Sequence, residues 1–280
     1  GIEVVWQGDD VKGFGELLNN ARRINILHGY YSPHRYITDN FDKIHTAGIH
    51  CNVEQAIKAT LVLDLEKSFH FHMEQAWEDT IVEKAKYPFW IGIDKPKLKN
   101  NYDHLLHIPN FYEFKHNKDV VDNNIVGFAA RMETRKCPHF LQGIKSELTT
   151  DPKDVLWWKR NLNIDTTDWK IYKFNYEFLG KFYNRDWGIS HSAHIFEPFG
   201  YGIFQAIDYG KLPILAQDWL TEYDYPFRAQ SPEEFKKQYE TICKLSTKER
   251  QDYLVPLRDY LRKFDNKQQW VEQLLKLYNE

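Results

Sequence analysis

In "GFAARMETRKCPHF" an apolar, strand-like run ends at Arg131, and Lys136 follows five residues later. A strand end that leads into a helix N-terminus offers unpaired backbone amides and the positive end of the helix dipole, and so favours anions. An arginine there grips a diphosphate by its fork, and a lysine acts as a point charge. Taken alone, two solvated charges on a loop is the plainer reading, and Arg135 is an alternative partner. A second stretch, "HSAHIFEPFGYGIFQAIDYGKLPIL" (191–215), carries Glu197, Pro198, Gly200 and Gly202 ahead of an amphipathic run closing on Gly210. Such glycines let backbone approach a ligand and leave the amides of the coming helix open. Gln205 stands eight residues after Glu197, where a second acid is conceivable. The plain reading of this stretch is a carboxylate capping a helix after a glycine turn.

Other groups invite chemistry and have bland readings. "HFH" places His70 and His72 on one strand face, and "HLLH" spaces His104 and His107 by three, but no acid or cysteine sits beside them at ligand spacing. Trp157 and Trp158, followed by Lys159 and Arg160, can form a base-stacking and phosphate surface. A helix face packed on its neighbour is the commoner arrangement. Cys137, beside Lys136, is a candidate for a lowered-pKa thiol or a bystander. The acids of "GDD" (8–10) read as a turn rather than as metal ligands.

The elements that must position these residues alternate. Strands are predicted at 2–6, 23–29, 42–49, 69–73 and 88–93, with helical periods at 11–21, 52–67 and 74–86, and "HLLHIPN" (104–110) closes this half. The polar stretch 112–124 lacks apolar rhythm and reads as a linker. The pattern restarts with a strand at 124–130, a helix over "CPHFLQGIKSEL" (137–148), strands at 169–175 and 187–193, a helix from about Gly202 to Tyr209, and a strand at 212–217. Ser231 followed by acids marks a helix start, and the tail from 251 is helical by period with Pro256 early in it. Strands alternating with helices imply parallel sheets and an α/β class. The expected domains are 1–115, 116–265 and a C-terminal helix, 266–280, that is a candidate to cross back to the first domain.

Composition sets outer bounds. The 280 residues suit one large or two ordinary domains, with 42% hydrophobic, 28% charged and 16% aromatic residues. A net charge of −3 gives no argument for nucleic acid and none against a local basic groove. The odd, widely spaced Cys51, Cys137 and Cys243 suggest a reducing compartment. No apolar run approaches the ~18 residues of a membrane span. "GIEVVWQGDD" has no basic leader before an apolar core. A cytoplasmic protein without a membrane span is expected.

Together the two site stretches resemble, in order and spacing, the C-terminal half of retaining nucleotide-sugar glycosyltransferases with the GT-B fold, the E-x7-E group (glycosyltransferase family 4-like). "AARMETRKC" stands where that group has "GR-x4-KG", and "EPFGYGIFQAIDYGKLPIL" where it has "EPFG…E-A…G-x-P-V". "HIPNF" is similar to the "IPNG" segment before its interdomain linker. The match covers about residues 104–220. This chain departs from the group at Ala130, at Cys137–Pro138 and at Gln205. It also has no clear glycine-rich phosphate loop in the first half unless "GFG" (13–15) serves.

The resemblance implies two Rossmann-like βαβ domains facing across a cleft. It implies that Arg131 and Lys136 hold the donor diphosphate, that Glu197 contacts the transferred sugar, and that Gln205 meets the ribose hydroxyls. Gly200, Tyr201 and Gly202 would offer backbone amides, and His28, in "ILHGYY", would face the donor sugar. The implied reaction transfers a sugar from a nucleotide diphosphate, a UDP-sugar first, to a hydroxyl acceptor with retention, and no cofactor or metal is obligatory. The acceptor stays open among glycan, small molecule and modified DNA. The aromatic-rich, alanine-poor composition is similar to that of phage and viral proteins, and phage enzymes of this fold glycosylate hydroxymethylated DNA bases. A sugar-nucleotide epimerase or a non-catalytic nucleotide-sugar-binding module are the other classes.

Overall fold

The computed structural model describes residues 24–30, 44–51, 70–73, 89–90, 92–96, 98–195 and 197–279. The strand expected at 2–6, the helices expected at 11–21, 52–67 and 74–86, and the "GDD" and "GFG" turns lie outside them. The chain divides into two compact units, Gly1–Pro109 with Val271–Glu280, and Asn110–Trp270.

The first unit holds a five-stranded sheet in the order β1 (Ile24–Tyr30), β2 (Ile44–Cys51), β3 (His70–Met73), β4 (Phe89–Trp90), β5 (Leu106–His107). Each neighbouring pair is parallel. The β1–β2 register shifts between Ile26 and Gly29.

The second unit holds β6 (Val126–Ala129), β7 (Ser146–Thr150), β8 (Trp169–Lys173), β9 (Ile189–Ser192) and β10 (Leu212–Leu215) in the order β10-β9-β6-β7-β8. All of these pairs are parallel too. The helices are α1 (Pro152–Asn161), α2 (Tyr176–Tyr183), α3 (Tyr201–Asp208), α4 (Pro232–Ile242), α5 (Thr247–Leu261) and α6 (Lys267–Asn279), the last running on beyond Trp270. β7, β9 and β10 are buried along their whole length and β6 along most of it, although β7 and β9 carry polar side chains, and β8 is partly exposed at the sheet edge. Val126, Phe128, Leu148, Ile189, Leu212 and Ile214 are fully buried.

The helix expected over 137–148 does not form. Pro138–Leu141 makes only a short 3-10 turn, Gly143 takes a left-handed φ of 71°, and Ser146–Thr150 is strand β7. The reason lies in "SELTT", whose threonines favour a pleated surface, and in its place inside the sheet between β6 and β8. α1 begins where Asp151 accepts from Lys153 N–H at 2.9 Å and Pro152 takes the first helical position. Asp-Pro is a start signal readable from sequence. Ser231 caps α4 through Glu234 N–H at 3.2 Å.

The stretch 112–118 has neither strand nor helix, yet it is tied down. The buried Asp208 carboxylate, at the end of α3, accepts from the backbone N–H groups of Lys115 (3.1 Å), His116 (3.0 Å) and Asn117 (2.7 Å), and from the Tyr112 hydroxyl (3.3 Å).

Candidate functional site

Strand order determines where a site can form. From β6 the chain moves outward through β7 and β8, then returns to add β9 and β10 on the other side of β6. The loops leaving the carboxyl ends of β6 and β9 therefore diverge at the switch point, where open α/β sheets bind ligands. The β6 loop carries Arg131 and Lys136, and the β9 loop carries His194 and Glu197.

The two loops are stitched together. Ile195 N–H donates to Arg135 O at 2.8 Å, and His191 Nε2 donates to Cys137 O at 2.8 Å. Lys136 closes a 3-10 turn, Thr134–Lys136, because Cys137 has a left-handed φ of 51° and returns its N–H to Thr134 O. Lys136 is thus not at an α-helix start; the helix N-terminus in this region is that of α3.

Side chains then converge. Lys136 Nζ donates to Glu197 Oε2, and His194 Nδ1 donates to the same oxygen at 3.1 Å. Both contacts fall on Oε2, and among the described residues Oε1 accepts none. The Glu197 side chain is only 20% exposed, and burial alone would raise its pKa. The His194 hydrogen bond and the Lys136 charge overcome burial and hold it at about 2. Burial pushes His194 below its ordinary 6.5, against its bond to Glu197. Burial likewise pushes the Cys137 thiol up to about 11, so this cysteine is an inert packing residue and not an activated nucleophile.

Gly200 caps α3 with φ 81°, and a Cβ there would lie 2.9 Å from Ile203 Cδ1 and 3.1 Å from both Glu197 Cγ and Trp219 Nε1. With no side-chain cap, the first-turn amides of Tyr201 and Gly202 are left unused by the helix. Phe199 stacks on Phe204 at 4.6 Å and holds the loop down, while the Tyr183 hydroxyl donates to Gly202 O at 3.3 Å.

The expected residues divide. Lys136, Glu197, Gly200, Tyr201 and Gly202 meet around the α3 N-terminus. Arg131 is 61% exposed and pairs with Glu133 at 3.2 Å, and Glu133 also takes Arg135 Nε at 2.7 Å. Gln205 is half-buried one turn along α3, in a groove of about 320 Å³ lined also by Tyr112, Tyr201, Asp208 and Tyr209. His28 lies within β1, in the other unit, where the register against β2 shifts. Sequence reasoning passed over Glu133, His194 and Asp208. His194 sits three residues before Glu197, a spacing that invites a contact; nothing local marks Asp208, whose partners are more than ninety residues away. Trp158 is buried with its indole N–H on Met132 O, which leaves only Trp157 of the tryptophan pair exposed. Among the described residues, no group of three or more His, Cys, Asp or Glu could hold a metal ion, and no helix is long and apolar enough to cross a membrane.

No protein-family model matches the chain, and no curated protein does. Solved structures do. A mutant of S. aureus TarM in complex with Fondaparinux, alpha-GlcNAc-glycerol and UDP aligns with a TM-score of 0.60 at 11% identity, over 84% of this chain and 55% of that one. Sucrose-phosphate synthase from Thermosynechococcus elongatus aligns with a TM-score of 0.57 at 14% identity, over 91% and 82%. The E. coli trehalose-6-phosphate structure bound with UDP-2-fluoro glucose aligns with a TM-score of 0.59 at 10% identity, over 87% and 76%. The chain spans little more than half the length of TarM. These likenesses define the class of fold: it is α/β, of the GT-B type that those glycosyltransferases share.

Proposed function

We propose that this protein is a retaining glycosyltransferase that moves a sugar from a nucleotide diphosphate, a UDP-sugar first, to a hydroxyl acceptor. One observation carries the reading: Lys136, Glu197 and the open amides of α3 converge at the switch point of a GT-B-type parallel sheet. Breaking a sugar–diphosphate bond builds negative charge on the leaving group. Lys136 and the α3 amides would stabilise that charge where it develops, and Arg131, on the same loop as Lys136, is the further cation this reading assigns to the diphosphate. Glu197 Oε1 is the acceptor for a sugar hydroxyl, and Gln205, one turn further, for the ribose. The structural neighbours bound to UDP or to a UDP-sugar analogue support UDP as the first donor to try.

The test is a panel of UDP-, GDP- and ADP-sugars, read by thermal shift and by released nucleotide, with glycan, small-alcohol and hydroxymethylated-DNA acceptors. A shift and turnover with one nucleotide class is the expected result. No shift with any nucleotide overturns the reading.

A further inference from the structure

We propose that His194 is a positioning residue: its Nδ1–H and the Lys136 ammonium together pin Glu197 Oε2, so that Oε1 is presented to substrate. The inference rests on the glycosyltransferase reading for the identity of that substrate, but not for the pinning itself.

Glu197 sits on a loop, between β9 and α3, and a glutamate there has three side-chain torsions to lose before it can point in one direction. Two donors arriving on one oxygen remove that freedom. Lys136 comes from the β6 loop and His194 from the β9 loop, so the carboxylate is held from both sides of the switch point. Oε1, which takes no donor among the described residues, is then the acceptor the group has left to offer.

The chemistry fixes the state of the ring. A carboxylate only accepts, so Nδ1 must carry the proton. Among the described residues, Nε2 is buried without a partner. A proton there as well would bury an N–H with no acceptor, which is costly, so the ring is neutral. Burial disfavours a positive ring most; of the charged and titratable groups that face it, Lys136 and Arg135 also oppose one, Glu197 favours one, and His191 lies with its centroid 5.7 Å away. His194 therefore helps Glu197 by a directed hydrogen bond, and Lys136 supplies the charge. Burial against Phe128 keeps water from substituting for the imidazole.

Three variants separate this role from simple packing. His194→Asn can place an amide N–H where Nδ1 stands, His194→Gln places it where Nε2 stands, and His194→Leu removes it. The readout independent of activity is the 13C-carboxyl titration of Glu197, assigned with Glu197→Gln. His194→Leu should titrate higher by about one pH unit and bind UDP-sugar about tenfold more weakly, the loss of one directed bond to a charged group. His194→Asn should restore both, and His194→Gln neither. If Glu197 titrates in folded His194→Leu as it does in the native protein, the proposal is overturned. Should the leucine variant not fold, equal titration in the Asn and Gln variants overturns it instead. If the Glu197 titration moves as expected but no nucleotide sugar binds the native protein, the donor reading fails while the pinning stands.

Discussion

Lys136 and Glu197, 61 residues apart in sequence, form an ion pair that joins the loop after β6 to the loop after β9. The lysine side chain is 13% exposed and the glutamate 20%. If Lys136 takes a donor diphosphate, as proposed, that diphosphate would meet an ammonium already sharing its charge with a carboxylate.

The pair and Arg131 should respond differently to removal. Lys136→Met leaves a largely buried carboxylate short of one donor. It should cut donor turnover roughly ten- to a hundredfold, equivalent to about 1.5–3 kcal/mol, and also lower the urea midpoint. Arg131→Ala removes an exposed side chain and should cut turnover while changing stability by less than about 0.5 kcal/mol. Wild-type turnover in both variants would remove the diphosphate assignment.

Gly200→Ala should destabilise the second unit by about 1–3 kcal/mol in urea unfolding. The left-handed φ of 81° is strained for an L side chain, and the new methyl would press on Ile203, Glu197 and Trp219. Donor binding should fall with it, because the α3 amides and Glu197 move together. Unchanged stability would mean that this turn relaxes freely and does not fix the site.

The second half of the site was legible because local chemistry and position agree there. "EPFGYG" places its acid and its glycines where the structure uses them, and β6, β9, α3 and β10 form within a few residues of the expected bounds. β7 was not legible, because "SELTT" follows a proline–glycine turn and contains one strongly apolar residue. Its strand character comes from burial between β6 and β8, a tertiary effect that periodicity does not carry. Glu133 was missed for a related reason. Reading Arg131 and Lys136 as donor cations attends to their charge and passes over the acid between them, which pairs Arg131 and Arg135.

Asp208→Asn should cost about 3 kcal/mol and loosen 112–118. The carboxylate accepts from three consecutive backbone N–H groups and the Tyr112 hydroxyl, all of which are donors. An amide turns an NH2 toward some of them and gives up the charge that strengthens the rest. Urea unfolding measures the energy, and faster proteolytic nicking at 112–118 reports the location. A variant as stable and as resistant as the native chain would show that the strap is redundant.

His191 makes stability pH-dependent. Burial, and then the neighbouring His194, push it down to about 3 from an ordinary 6.5, against its bond to Cys137 O. Below pH 6.5 the unfolded chain takes up a proton that the folded chain refuses. Stability from this group is therefore complete above about 6.5 and falls as pH drops toward 3, with a slope of up to about 1.4 kcal/mol per pH unit. His191→Gln keeps a donor near Cys137 O and removes the titration. Its urea midpoint should fall less steeply between pH 6.5 and 4 than that of the native protein; equal slopes would place the acid sensitivity elsewhere.

Gln205→Glu tests the amide that stands eight residues after Glu197. A glutamine carbonyl accepts from a ribose hydroxyl as a carboxylate does, with less strength, so the acid should bind donor equally or more tightly. The structure supplies a reason for the amide. Asp208 lies three residues further along α3 on the same groove and already spends its carboxylate on the linker amides. A second acid at 205 would sit at like-charge i,i+3 spacing and cost about 0.2–0.5 kcal/mol. Donor affinity by calorimetry should therefore hold or rise while the urea midpoint drops slightly. The acid should also add a pH dependence to binding below about 5, as its protonation removes the better acceptor. Loss of binding in a folded variant would mean that Gln205 uses its NH2 as a donor, and that the ribose contact is made by another residue.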